Sequence, residues 1–213
     1  MAFSETEDLK PKNVDLQPLR NMRQPVIFVV GGPGTGKATQ CKKLAEEFNF
    51  HHLSMGQAIK DRFKKAQTPQ ANVLQALSDN GGIISLDEVM EILELEMLRL
   101  LGREAKPFIV HGFPRYIFQA IQYERDIGFP RTVILLDADS RVMRERLKER
   151  GNKGSRRADD KAAPIEERLN QHDSTIQEVI DYYEPHNKLY VVNANNSVDQ
   201  VYKDMAQLVE LWA

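Results

Sequence analysis

Cysteine is almost absent from this 213-residue chain: Cys41 is its only one, and Trp212 is its only tryptophan. No intramolecular disulfide can form, and a reducing compartment is expected. No apolar run approaches the roughly 20 residues that a membrane span needs. The N-terminal MAFSETEDLK has no apolar core of a secretory signal, and Ala2 stands where N-myristoylation needs glycine. A surplus of one charge is missing too. Lys and Arg number 29 against 31 Asp and Glu, a formal net charge of -2, which argues against a general nucleic-acid or membrane-surface binder. There is no internal repeat, no low-complexity tract, and no Cys/His cluster with zinc spacing. The expectation is a cytoplasmic, monomeric protein with one globular domain.

What is present alternates. Residues 1–24 are polar and weakly patterned, and are read as an N-terminal extension. From Pro25 on, short apolar runs predict strands at Val26–Val30, His51–Ser54, Phe108–His111, Val133–Asp137 and Leu189–Asn193. Continuous runs such as VIFVV and TVILL suit strands buried on both faces. Helical patterns lie between them, at Lys37–Glu47, Gly56–Lys65, Leu86–Leu101, Ile117–Ile127, Arg141–Arg150, Pro164–Tyr183 and Val198–Leu211. This alternation predicts a three-layer α/β/α domain over residues 25–213, built on a five-stranded parallel sheet. Two stretches break the pattern. Residues 55–85 carry only helical signals and read as a helical insertion, and the charged residues 151–163 have the composition of a lid.

Gly31-Gly32-Pro33-Gly34-Thr35-Gly36-Lys37 follows the strand VIFVV and opens a helical pattern. This is the context of a phosphate-binding P-loop: glycines let successive N–H groups face phosphate oxygens, and the helix N-terminus adds its positive end. Gly32, Gly34, Thr35, Gly36, Lys37, Ala38 and Thr39 are the candidate triphosphate contacts. Lys37 reaches the β- and γ-phosphates as a mobile point charge. Ala38 departs from the generic motif, which places a Mg2+-binding hydroxyl after the lysine; here a hydroxyl comes only at Thr39.

The chain resembles the adenylate kinase family, on its short-lid, cytosolic isoenzyme-1-like branch. The resemblance rests on GGPGTGKATQC (31–41), HLSMGQAIK (52–60), HGFPRYIFQ (111–119), and Arg146…Arg150-Gly151…Arg157-Ala158-Asp159-Asp160…Arg168. It implies a nucleoside monophosphate kinase that transfers the γ-phosphoryl group of ATP, with Mg2+ as cofactor, to AMP. Phosphoryl transfer needs positioning and charge neutralisation more than a covalent catalyst. By resemblance Arg115 holds the phosphate of the monophosphate, Arg150, Arg157 and Arg168 close on the transferring group, and Arg146 stacks on the ATP base. Met55, Lys60, Ile84, Gly112, Arg115, Gln119, Arg157 and Arg168 form the implied AMP site, with the Gln119 amide matched to an adenine edge.

Several residues depart from the family pattern. His111 stands where the family has an Asp serving Mg2+, a hard cation that prefers oxygen; Asp137 at another strand end is a candidate substitute. Lys60 replaces an Arg and loses its bidentate fork. Met55 and Gln57 replace Thr and Asp, and Ala38 replaces Gly. The triphosphate side is nearly intact and the acceptor and metal side altered. Two alternatives to an adenylate kinase therefore remain open: a kinase for CMP or UMP, and a catalytically impaired nucleotide-binding relative with a regulatory or structural role.

Overall fold

The computed structural model describes residues 14–66, 68–79, 82–152 and 162–212. Five strands form one parallel sheet in the order β2-β3-β1-β4-β5. They are β1 (Val26–Gly31), β2 (His51–Ser54), β3 (Phe108–His111), β4 (Thr132–Asp137) and β5 (Leu189–Asn193). Register is set by pairs such as Val29 with His111, Ile134 with Val29, and Ser54 with His111. All strands therefore present their carboxyl ends along one edge, and that edge carries the site.

Strand β1 is central because every side chain from Val26 to Val30 is buried. Alternate residues serve opposite faces. Phe28 and Val30 pack with Phe63, Leu93, Met97 and Tyr123, beneath helices α3 (Met55–Ala66), α5 (Leu86–Leu101) and α6 (Ile117–Asp126). Ile27 and Val29 pack with Cys41, Leu44, Val201 and Met205 of α2 (Lys37–Glu47) and α9 (Val198–Val209). The two packed faces make the three layers. Helix α5 is N-capped by Ser85, whose Oγ accepts from the Glu88 N–H at 3.3 Å and donates to the Glu88 carboxylate at 2.8 Å.

Two helices differ from the sequence expectation. A short helix, α1 (Gln17–Arg20), lies inside the 1–24 extension, and its Leu19 is buried in the core. Pro18 in its first turn and one apolar anchor are too little periodicity to reveal it. Helix α4 (Pro69–Asp79) occupies the 55–85 insertion after α3. Helix α7 (Ser140–Asn152) ends inside the expected lid and α8 (Ala162–Tyr183) begins there, so residues 153–161 lie outside the described residues. Helix α8 starts two residues before Pro164, which the first turn tolerates because those N–H groups have no intrahelical partner.

Phe28 sits at the centre of an aromatic cluster, with ring centroids 5.3 Å from Phe113 and 4.9 Å from Tyr123, both edge-to-face. Phe28→Ala should cost about 3–5 kcal/mol, as fully buried Phe truncations do. Urea unfolding measures this, and a loss below about 1 kcal/mol would show that the cluster is not structural.

Candidate functional site

The chain leaves β1 through a turn that only glycine can make. Gly31 has φ 134° and Gly34 φ 88°, values that side chains rarely adopt. Space gives a second reason. A Cβ on Gly31 would overlap the Leu136 carbonyl of β4, and one on Gly34 would lie 2.7 Å from the Met143 carbonyl oxygen of α7. The loop is thereby clamped between the sheet and α7, and α2 begins at Lys37 with its N-terminus facing the cleft. Thr35 is buried and its hydroxyl donates to the Gly32 carbonyl at 2.9 Å, which closes the turn.

The Lys37 ammonium is half-buried and folds back on its own loop, donating to the Gly31 and Gly32 carbonyls at 2.6 Å each. Burial, and then the guanidiniums of Arg115, Arg168 and Arg150, lower its pKa to about 7. These three arginines, from the loop after β3, from α8 and from α7, line the same cleft as Lys37.

The cleft has a volume of about 860 Å³. Gly34, Thr35, Gly36, Lys37, Ala38 and Thr39 line it, as do Lys60, His111, Gly112, Arg115, Arg146, Arg150 and Arg168. Arg146 is held in place by the β5–α9 loop: it donates to the Ala194 carbonyl at 2.7 Å and the Asn196 carbonyl at 3.2 Å. Both bonds leave from the edge of the guanidinium plane, the geometry that stacking on a ring requires.

Five sequence candidates stand differently, the first being Gly32, which is buried against Met143 and His172 and does not line the cleft. Met55 and Ile84 are buried in the core cluster behind the cleft, because α3 turns Met55 inward with Ile59 and Phe63. Gln119 is buried as well, and its Oε1 accepts the backbone N–H of Arg115 at 2.8 Å. It holds the Arg115 turn. Arg157 lies outside the described residues.

His172 and Tyr116 are among the lining residues that escaped the sequence reading. His172 faces the loop from α8, one turn beyond Arg168, and that i, i+4 spacing was the available signal. Burial, and then the charge of Lys37, lower its pKa to about 4, so its imidazole is neutral at physiological pH. Tyr116 follows Arg115 and stacks on Phe118 with centroids 5.0 Å apart.

The donors for Mg2+ fit poorly. A protein site for this ion is anchored by a carboxylate with substrate phosphates. Among the described lining residues Glu149, on α7, is the one carboxylate, and the β3 end carries the His111 imidazole. Asp137, at the end of β4, is exposed and does not line the cleft. Among the described residues no group of three or more His, Cys, Asp or Glu is placed to hold a metal ion. Nor is any described helix long and apolar enough to cross a membrane.

A glycine loop at a strand end, a helix N-terminus and convergent cations above it define a P-loop phosphotransferase. Comparison with known proteins narrows this. The family model described as adenylate kinase matches residues 29–188. The chain is similar to adenylate kinase isoenzyme 1 of Caenorhabditis elegans, 35% identical over 191 residues, which is 90% of each chain. It is similar to uridylate kinase of Saccharomyces cerevisiae, 35% identical over 184 residues, 86% of this chain and 90% of that one. It is also similar to UMP-CMP kinase of Lentinula edodes, 33% identical over 187 residues, 84% and 82% of the two chains. The chain belongs to the adenylate kinase family and is a nucleoside monophosphate kinase, a phosphotransferase.

The lowered pKa of Lys37 has a thermodynamic signature. An ordinary lysine keeps its proton to about pH 10, whereas Lys37 loses it as pH rises through about 7. Bound polyphosphate favours the charged form. At pH 8, ATP binding should therefore take up close to one proton, read as a dependence of the calorimetric enthalpy on buffer ionisation. Lys37→Met should abolish the uptake; an uptake below about 0.2 proton in the native protein would contradict the assignment.

Proposed function

We propose that this enzyme transfers the γ-phosphoryl group of ATP to AMP, giving two ADP. The observation that carries this reading is the convergence of Lys37, Arg115, Arg150 and Arg168 on one cleft above the phosphate loop. The transferring group spreads negative charge over its oxygens, and fixed cations stabilise that charge where it develops. In this reading ATP lies with its phosphates along Gly32–Thr39 and its base against Arg146. The monophosphate places its phosphate between Lys60 and Arg115, with Gly112 beneath it. Arg150, Arg157 and Arg168 bridge donor and acceptor.

Met55, Ile84 and Gln119 act on AMP from behind the wall in this proposal. The two apolar residues give the acceptor pocket its shape, and Gln119 fixes the backbone that carries Arg115. Residues 55–85 form the acceptor insertion and 151–163 the lid of a single domain over 25–213, with 1–24 as an extension packed at Leu19. The protein works as a cytoplasmic monomer. Mg2+ accompanies ATP.

The test is ADP formation from ATP with AMP, CMP, UMP and GMP as acceptors. AMP should give the highest kcat/KM, and Arg168→Ala should lower kcat by about 100-fold or more while ATP affinity changes only a few-fold. A preference for UMP or CMP would keep the reaction and correct the acceptor. Binding of ATP without turnover on any acceptor would instead support a regulatory or structural role.

A further inference from the structure

We infer that the cleft binds ATP as a metal-free polyanion about as tightly as it binds the Mg2+ complex, because the protein neutralises the phosphates with its own cations. The inference rests on the nucleotide-binding reading above and concerns only how the phosphates are held. Three features of the site carry it.

The first is the loop itself. In P-loop proteins a hydroxyl directly after the lysine contacts Mg2+, and an Asp at a neighbouring strand end holds it. Here the first position is Ala38, an exposed methyl. Thr39, one residue on, lines the cleft with a hydroxyl, but a neutral oxygen alone is a weak anchor for a hard dication. Thr35 is engaged already, its hydroxyl donating to Gly32.

The second is the cleft floor. β3 pairs directly with β1 and ends at His111, which is buried and stacks on His52 with ring centroids 5.1 Å apart. Imidazole suits softer metals than Mg2+. The next strand end on the other side of β1 is Asp137, which is exposed and is not among the residues that line the cleft.

The third is the balance of charge. Among the described lining residues Lys37, Lys60, Arg115, Arg146, Arg150 and Arg168 are cationic, against the single carboxylate Glu149. Mg2+ on the phosphates cancels about half of the charge that these cations attract, and it offers them nothing in return at His111 or Ala38. After burial, the same cations are what depress Lys37 in the free protein, and any polyphosphate offsets their repulsion, with or without metal.

The experiment is isothermal titration of the full chain with ATP at pH 8, once with EDTA and once with excess Mg2+. The two Kd values should agree within about threefold. Tightening by Mg2+ of tenfold or more overturns the inference while leaving nucleotide binding intact. Absence of ATP binding in both titrations overturns the nucleotide reading as well, so the two failures are distinguishable. The native comparison needs no variant and stands even where a substitution fails to fold. His111→Asp, checked for folding by its thermal transition, should create a preference for Mg2+-ATP of about tenfold. A folded His111→Asp whose two Kd values still agree would refute the role assigned to the β3 end.

Discussion

The constraint on which the remainder of the site depends is the passage of the backbone from β1 to α2 without side chains. Methyl groups at Gly31 or Gly34 would run into the Leu136 and Met143 carbonyls. The loop is therefore a three-way contact between sheet, loop and α7. Helix α7 reaches it through Met143 and Leu147, which form a small core with Ile165 and Leu169 of α8. One packing unit thus orders the phosphate loop, Arg146 and Arg150 on α7, and Arg168 and His172 on α8. A displacement of the loop would carry the guanidiniums with it, which is how a few apolar contacts fix the geometry of a charged site.

Electrostatics set the opposing term. Four cations brought to one place destabilise the free protein, and the lowered pKa of Lys37 records its burial first and that repulsion second. The neutral state of His172 has the same origin, in burial first and the Lys37 charge second. Such an arrangement is unfavourable until an anion enters, and so converts folding energy into affinity for polyphosphate. Lys37 bonded to its own loop carbonyls is the resting state of that arrangement.

Much of this was legible in the sequence, for definite reasons. Strands buried on both faces leave unbroken apolar runs, which located β1, β3 and β4 within a residue at each end, while the partly exposed edge strands β2 and β5 were placed by short runs between helical patterns. The phosphate loop was readable because glycine is required at fixed offsets after a strand. α1 was hidden, since a single turn anchored by Leu19 has no period to detect. His172 was hidden in another way: its spacing from Arg168 was visible, but which face of α8 meets the loop depends on how Ile165 and Leu169 pack on α7. Gln119 shows the limit most clearly. Its identity suggested contact with a base, while its place, fixed by the fold of 112–119, makes it a hydrogen-bond partner of the Arg115 backbone.

That position of Gln119 bears on why overall likeness does not separate the acceptors. An adenylate kinase and a uridylate kinase match this chain at the same 35% identity, so the scaffold is shared and base choice belongs to a few side chains on the acceptor wall. A carbonyl oxygen has two lone pairs, and the Arg115 N–H occupies one on Gln119. The buried amide is thus held in an orientation set by the Arg115 backbone. The bond joins Gln119 to the main chain of Arg115, so a shift of that backbone also turns the amide. In the acceptor role proposed for Arg115 and Gln119, the turn at 112–119 then acts as a unit, and a substitution at Gln119 also disturbs the backbone that carries Arg115.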